Sequence, residues 1–266
     1  MEKLIELKNI TKSFPIENGM FHTSGEIVAV DNVSFSIQPG EIVALVGESG
    51  SGKTTLGKII QGLIPPTTGE LYFQEKNAIL FSKKGRAHFV QTIFQDPFSS
   101  LNPKLSVGFA LREALLHSPE KITPSAIPLE IEKLLQATGL PVEASAHYPH
   151  QFSGGQKQRI GVARALAMKP KLLIADEPVS ALDLSIQAQI LNLLLDLNKR
   201  YGISILLITH DLAVVEYCAS RVLVMRRGKI IEEGGVEDIF NHPREIYTQT
   251  LLASTLTQIV QLESGI

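Results

Sequence analysis

The feature that most constrains this chain is a glycine-rich octapeptide, Gly47-Glu48-Ser49-Gly50-Ser51-Gly52-Lys53-Thr54, which follows the pattern G-x-x-x-x-G-K-[ST]. It lies between a continuous apolar run at 41–47 and a helical pattern at 53–62, so a strand, a loop and a helix are predicted in succession. The three glycines permit positive φ angles and a close approach to the backbone. The turned N–H groups and the helix N-terminus would then cradle a phosphate. A chance glycine-rich turn is the alternative, and the flanking strand and helix disfavour it.

Two further apolar runs, at 171–177 and 204–210, also end in polar residues. Continuous apolarity over about five residues favours strands covered on both faces, as in a parallel sheet. Helical patterns at 185–200 and 212–219 complete the alternation of strands and helices that is typical of an α/β fold. In such folds the ligand site lies at the carboxyl ends of the strands. The polar residues at these ends are Asp176, Glu177, His210 and Asp211.

The remaining segments predict two additions to this core. Residues 3–10 and 26–38 alternate between apolar and polar side chains, which favours antiparallel strands, and Pro39-Gly40 supplies a turn after them. Between 97 and 165 the strand signals give way to helical stretches with Pro- and Ser-rich joints, which indicates an inserted helical lobe. The stretch 118–128, with three prolines, is predicted to be a surface loop.

Composition argues against several classes of function. The chain has 266 residues with 25 basic and 27 acidic side chains, whereas a protein bound to the nucleic-acid backbone normally has a basic excess. Its single cysteine, Cys218, provides neither a disulfide framework nor a cysteine cluster for a metal. The start of the chain lacks the apolar stretch of a signal peptide, and no apolar run approaches the roughly 20 residues that span a bilayer. We therefore expect a cytoplasmic protein that serves a membrane only through another chain.

Asp176 and Glu177 are adjacent carboxylates at the end of a strand, where neighbouring side chains point to opposite sides. One is expected to orient the hydration shell of Mg²⁺ while the other polarises a water molecule for attack on a γ-phosphate. Two acids that merely face solvent are the alternative interpretation. For His210 the alternative is a structural role, which is common for a lone histidine.

A second glycine-containing sequence, Phe152-Ser153-Gly154-Gly155-Gln156, precedes a helical run at 157–168. Its serine and glutamine fit a capping box, but each glycine costs about 1 kcal/mol relative to alanine within a helix. Two glycines are explained if another group approaches the backbone closely, and a bare helix N-terminus binds phosphate. One nucleotide, however, does not need two such sites on one chain.

Residues 152–156 resemble the signature sequence of the ABC ATPases, usually Leu-Ser-Gly-Gly-Gln, with phenylalanine in place of leucine. Gln95 resembles the glutamine of the family's Q-loop, 180–183 its D-loop and His210 its switch histidine, all in family order. The resemblance implies an α/β fold, with a P-loop NTPase (RecA-like) core, an N-terminal antiparallel β-subdomain and an inserted α-helical subdomain. It also implies that residues 1–266 form a single ABC ATPase domain. The ATP-binding core with its β-subdomain would occupy 1–96 and 166–240, the helical signature subdomain 97–165, and a C-terminal extension 241–266.

The resemblance further implies a head-to-tail dimer, in which each ATP lies between the Lys53 loop of one chain and the helix start at 153–156 of the other. Glu177 would be the general base, His210 would hold the γ-phosphate and the attacking water, and Lys53 completes the catalytic set. The residues implied to bind nucleotide are Phe14, Gly47, Glu48, Ser49, Gly50, Ser51, Gly52, Lys53, Thr54, Thr55 and Gln95. The residues implied to bind Mg²⁺ are Thr54, Gln95 and Asp176. Those implied to meet the nucleotide of the other chain are Ser153, Gly154, Gly155, Gln156 and Asp183.

Phe14 occupies the position of the family's adenine-stacking aromatic residue. An ordinary strand residue packed on the core remains the alternative, and the long stretch from Pro15 to Ala29 leaves Phe21 as another source of the ring. Gln95 is expected to sense Mg²⁺ and the γ-phosphate and to link them to the helical lobe.

Within the family the chain resembles the ATPases of di- and oligopeptide importers, in particular their second ATPase subunit. The segments similar to that group are 95–103, 148–156, 175–183 and 239–252. The chain departs from the group at Ile246, where a proline is usual. Many relatives continue into a cysteine-rich tail thought to hold an iron–sulfur cluster, and with Cys218 alone no cluster is predicted here.

This group implies a peripheral protein at the cytoplasmic face of the inner or plasma membrane. The implied partners are a second homologous ATPase subunit or another copy of this chain, two transmembrane permeases and an extracytoplasmic substrate-binding protein, with no nucleic acid. The same ATPase serving nickel, metallophore or antimicrobial-peptide uptake is the alternative. A soluble ABC ATPase without a transport role usually carries two cassettes or a long coiled coil, and an ATP-binding scaffold without catalysis would not need Glu177 or His210.

Overall fold

The computed structural model describes residues 2–17, 23–95 and 101–253. The described residues fall into two compact units, one that combines the chain up to Phe81 with the chain from Leu206 onward, and one from Ser82 to Ile205. Within the described ranges no helix is both long and apolar enough to cross a lipid bilayer.

The regular elements are numbered along the chain. The strands are β1 (Ile5–Glu17), β2 (Thr23–Ile37), β3 (Ile42–Val46), β4 (Thr68–Phe73), β5 (Lys76–Asn77), β6 (Val90–Ile93), β7 (Leu172–Asp176), β8 (Ser204–Thr209), β9 (Arg221–Arg226) and β10 (Lys229–Gly235). The helices are α1 (Lys53–Gln61), α2 (Lys83–Phe89), α3 (Val107–Leu116), α4 (Ile127–Ala137), α5 (Gly154–Ala167), α6 (Leu184–Tyr201), α7 (Leu212–Cys218) and α8 (Val236–Asn241), with a further helical segment at 246–253.

The first unit contains an antiparallel sheet in the order β2-β1-β4-β5. β1 and β2 pair along most of their length, from Ile5 opposite Ile37 to Glu17 opposite Thr23, so the predicted antiparallel strands are confirmed and are longer than expected. The same unit contains a second set of strands in the order β10-β9-β3-β8, in which β3 runs parallel to β9. All five residues of β3 are buried, because both faces of this sheet are covered.

The second unit contains the parallel pair β6 and β7 together with the predicted helical lobe. Helices α3, α4 and α5 bury one apolar cluster, whose members are Leu101, Val107, Leu111, Leu135, Leu140, Ala144, Ile160 and Ala163. The predicted surface loop at 118–128 is confirmed except for its last two residues. These begin α4, where Pro128 is tolerated because the N–H groups of a first helical turn have no partner within the helix.

The start of α5 differs from the sequence prediction by three residues. The helix begins at Gly154, because Ser153 takes the N-cap position and forms a capping box with Gln156. The Gln156 N–H donates to Ser153 Oγ at 3.3 Å, and the Ser153 N–H donates to Gln156 Oε1 at 3.0 Å. The glycines of the signature sequence therefore lie inside the first turn of α5.

Candidate functional site

The glycine-rich loop joins β3 to α1, as the sequence predicts. Gly47, Gly50 and Gly52 all have positive φ angles, of 150°, 78° and 109°. A Cβ atom on Gly47 would lie 2.1 Å from the carbonyl oxygen of Met225, and one on Gly52 would lie 2.2 Å from that of Ala29. Glycine is therefore required here both by the backbone conformation and by the strands that pack against the loop.

Lys53 directs its ammonium group back into the loop. Its Nζ donates to the carbonyl oxygens of Gly47 at 2.7 Å and Glu48 at 2.9 Å, and the residue is only 8% exposed. A buried ammonium is stable only where hydrogen-bond acceptors replace water, and the loop carbonyls do this. The arrangement places a positive charge beside the N-terminus of α1, where the helix dipole also favours an anion.

The other predicted residues of the first unit lie around this loop or on neighbouring strands. Thr54 and Thr55 lie in the first turn of α1, and Thr54 is exposed. His210 is exposed and directly follows β8, the strand next to β3 in the sheet. Asp211 then caps α7, since its Oδ1 accepts the Ala213 N–H at 2.9 Å. His210 is therefore fixed at the junction between a buried strand and a capped helix.

Phe14 lies on β1 opposite Ile27, and its side chain is 38% exposed rather than packed in the core. The Lys12 ammonium lies 5.1 Å from the centroid of its ring. An exposed ring of this kind has a face on which a base can stack, although stacking on adenine stays a prediction. Phe21, the alternative source of the ring, lies outside the described residues.

The second unit brings three of the predicted residues to one edge of a parallel pair of strands. Asp176 is the last residue of β7, Glu177 follows it, and Gln95 comes two residues after β6. Ile93 is opposite Ala175 in this parallel pair. Gln95 and Glu177 each lie two residues further along their strands' direction, so they occupy equivalent positions at this edge.

Glu177 adopts a left-handed backbone conformation, with a φ of 49°. Its carbonyl oxygen accepts a hydrogen bond of 3.2 Å from Ser180 Oγ, which helps to hold this conformation. Such conformations are unfavourable for a residue with a side chain and are concentrated at functional sites.

The two signature glycines pack against the segment that resembles a D-loop and the helix after it. A Cβ atom on Gly155 would lie 2.4 Å from Ile186 Cγ2, and one on Gly154 would lie 3.2 Å from Leu182 Cδ2. The close approach inferred from the sequence is therefore made, at least in part, by side chains of the same chain. Asp183 is the exposed N-cap residue of α6, immediately before Leu184.

Gln158 is a residue of this unit to which the sequence analysis assigned no role. It lies in α5, is 2% exposed, and its Nε2 donates to the carbonyl oxygen of Phe94 at 3.3 Å. This bond connects the helix of the signature sequence to the residue before Gln95. The only signal of this contact in the sequence is a polar side chain at an inward-facing position of a helix.

Replacement of Gly155 by alanine is expected to destabilise the protein more than replacement of Gly154, by about 1–3 kcal/mol. Both changes gain the same helix propensity, but only at Gly155 does the new methyl group overlap the Cγ2 atom of a stiff, β-branched isoleucine. The difference between the two unfolding midpoints in denaturant tests this. Equal stability of the two variants would show that Ile186 moves aside without cost.

The comparisons with known proteins agree with this architecture. A family model described as ABC transporter matches residues 30–180, and the chain therefore belongs to the ABC transporter family. The chain is 45% identical over 258 residues to the oligopeptide transport ATP-binding protein OppF of Lactococcus lactis subsp. lactis (strain IL1403), covering 96% of this chain and 81% of that protein. It is 43% identical over 261 residues to the dipeptide transport ATP-binding protein DppF of Escherichia coli (strain K12), covering 96% and 77%.

Two solved structures share the fold. The ATP-binding cassette MJ0796, in a dimeric post-hydrolysis state bound to ADP and Pi, aligns with a TM-score of 0.76 at 30% identity, covering 87% of this chain and 98% of that chain. CbiO1 from Clostridium perfringens, part of the ABC transporter complex cbiONQ, aligns with a TM-score of 0.79 at 27% identity, covering 98% and 96%. The predicted family and fold class are confirmed.

Proposed function

We propose that this chain is the ATP-hydrolysing subunit of an ABC importer for di- or oligopeptides. The observation that carries the proposal is the phosphate loop, in which the Lys53 ammonium is buried against two loop carbonyls. The peptide cargo is supported by similarity, over almost the whole chain, to proteins named as oligopeptide and dipeptide transport ATP-binding proteins.

The triphosphate of ATP would be held by the loop at 47–54 and by Thr55. The positive φ angles of its glycines would let backbone N–H groups turn toward a bound phosphate, and Lys53 would add the charge. The exposed ring of Phe14 is the proposed platform for adenine. Base and phosphates are then recognised by different elements of the first unit.

Mg²⁺ would be held by the Thr54 hydroxyl, the Gln95 side-chain carbonyl and the Asp176 carboxylate. All three offer oxygen, the donor that Mg²⁺ prefers. Asp176 ends β7, and Gln95 lies two residues beyond β6, its parallel neighbour. A Mg²⁺ ion held by these residues would supply positive charge that offsets the negative charge developing during phosphoryl transfer.

Glu177 is the proposed general base. Its carboxylate would take a proton from the water that attacks the γ-phosphorus, while the bond from that phosphorus to the bridging oxygen breaks and ADP leaves. The left-handed backbone at Glu177 fixes the direction in which its side chain leaves the strand. His210 would hold the γ-phosphate and the attacking water.

The helix start at 153–156 and Asp183 would act on the nucleotide of a second ATPase subunit, which is either a homologue or another copy of this chain. The MJ0796 cassette, described as dimeric, supports such an assembly. Two permeases and an extracytoplasmic binding protein would complete the importer. The chain would then lie on the cytoplasmic face of the membrane and bind it through the permeases.

The lack of an iron–sulfur cluster stays a prediction. Such clusters are held by cysteine thiolates. Burial raises the pKa of the Cys218 thiol to about 11, so this cysteine is protonated at neutral pH and is a poor metal ligand.

Transport measurements test the proposed cargo. In a strain without the gene, uptake of a radiolabelled di- or tetrapeptide should be lost, restored by the parent chain and not restored by a Lys53→Ala variant. Uptake of radioactive nickel is measured in the same strains as the matched alternative. Loss of nickel uptake with normal peptide uptake would overturn the peptide assignment and leave the ATPase assignment in place.

A further inference from the structure

Tyr247 connects the C-terminal helical segment at 246–253 to the beginning of the phosphate loop. Its hydroxyl oxygen accepts a hydrogen bond of 3.0 Å from the backbone N–H of Glu48, which lies 199 positions earlier in the chain. Both residues belong to the first unit, and Tyr247 is only 7% exposed. This contact is not used by any of the roles proposed above.

The Glu48 N–H and the Gly47 carbonyl belong to the same peptide group, and both of its polar atoms are hydrogen-bonded. Tyr247 accepts from the N–H, while Lys53 Nζ donates to the carbonyl oxygen at 2.7 Å. A peptide group that follows a glycine is less restricted by sterics than others. Its orientation therefore depends strongly on these two hydrogen bonds.

The ring of Tyr247 is itself held in place, so its hydroxyl is a fixed acceptor. The guanidinium carbon of Arg226 lies 4.6 Å from the ring centroid, a cation–π contact. The ring also belongs to an apolar cluster whose other buried members are Ala44, Val46, Leu212, Val215, Val222, Val224 and Ile239. Val46 belongs to β3, the strand that leads into the phosphate loop. The Tyr247 ring and the start of the loop are therefore held by the same apolar cluster.

The helical segment that carries Tyr247 is anchored at its start by Glu232 of β10. The carboxylate accepts backbone N–H bonds from Arg244 at 2.7 Å and Glu245 at 3.2 Å. Partial burial acts to raise the pKa of Glu232, but the hydrogen bonds that the carboxylate accepts hold the pKa below its usual value. The group is therefore charged at neutral pH, and the anchoring bonds are charge-assisted.

We propose that Tyr247 is a positioning residue for nucleotide binding. It holds the Gly47–Glu48 peptide group in place when the Lys53 ammonium turns from the loop carbonyls toward a phosphate. This role rests on the proposed function of the loop as the ATP site. Because Tyr247 lies in the C-terminal segment, ATP affinity depends on the docking of that segment against the loop.

A Tyr247→Phe variant removes the hydroxyl and keeps the ring that packs in the cluster. We expect its Kd for ATP to rise roughly three- to tenfold, the change that corresponds to one lost hydrogen bond. The kcat at saturating ATP should stay within about twofold of the parent value, and hydrogen exchange at the Glu48 amide should become faster. A Tyr201→Phe variant, which changes a 54% exposed tyrosine at the end of α6, is the matched control.

A Lys53→Ala variant measured in parallel separates this proposal from the one on which it rests. If Tyr247→Phe binds ATP like the parent while Lys53→Ala does not bind it, the positioning role is overturned and the loop assignment stands. If Lys53→Ala also binds ATP normally, the proposed nucleotide site itself is wrong. Weaker ATP binding by Tyr247→Phe together with a lower kcat and a lower unfolding temperature without nucleotide would indicate a general structural role and would also overturn the proposal.

Discussion

A Glu177→Gln variant is expected to bind ATP as the parent chain does and to hydrolyse it roughly 100- to 10,000-fold more slowly. Glutamine keeps the length of the side chain but cannot accept the proton of the attacking water. The backbone contacts at this position, such as the bond from Ser180 Oγ to the Glu177 carbonyl, do not depend on the carboxylate. The variant should therefore remain folded and stop after ATP has bound.

Three measurements distinguish this outcome from simple damage to the protein. Phosphate release gives the turnover, equilibrium binding of labelled ATP gives the affinity, and size-exclusion chromatography with ATP should show an accumulated closed dimer. Glu216→Gln, the same change at an exposed position in α7, is the control and should behave like the parent. Normal hydrolysis by Glu177→Gln would show that another group is the base.

A Lys53→Ala variant should lose ATP affinity by roughly 100-fold or more, because hydrogen bonds to charged groups contribute about 1.5–3 kcal/mol each. The ammonium donates to groups of the loop itself, namely the carbonyl oxygens of Gly47 and Glu48 and, at 3.5 Å, Ser51 Oγ. Alanine removes the charge without filling the space. The loop then presents carbonyl oxygens where an anion has to bind.

Lys58→Ala provides the matched control for this experiment. Lys58 is on the same helix, is exposed, and lies in its last turn, so its removal changes the net charge equally without touching the loop. Isothermal titration with ATP should show parent-like binding for Lys58→Ala. Unchanged ATP binding by Lys53→Ala would refute the assignment of the loop as the phosphate site.

The buried strands and the phosphate loop were predictable because their signals are local. β3 and β8 are buried along their whole length and appear in the sequence as unbroken apolar runs. The sequence patterns predict no strand at 221–226 or 229–235, yet both segments form strands. β10 contains two acidic residues and two glycines, and it forms a strand because it pairs with β9, a tertiary effect that local propensity does not record.

The candidate site was predicted in its parts, while the contacts that hold the parts together were not. The approach of Ile186 to Gly155 and the bond from Glu48 to Tyr247 join residues far apart in the chain. Contacts between residues so far apart produce no periodic pattern in a single sequence, so they could not be predicted from it. The two glycines of the signature sequence are unusual for the start of a helix, but only the packing of α6 shows which group approaches Gly155 within this chain.

The capping box at the start of α5 affects how a phosphate bound at that helix N-terminus would be released. Ser153 Oγ and Gln156 Oε1 already serve as acceptors for two N–H groups of this helix start. If, as proposed, the phosphate of a second subunit's nucleotide docks there, it would exchange places with these side chains, and they would return when it departs. Neither step would leave these two N–H groups without an acceptor, so attachment and release would be nearly balanced in the hydrogen bonds of this helix start. On the proposed assembly, bound ATP rather than the helix start itself would therefore hold the junction closed, and its hydrolysis would let the junction open.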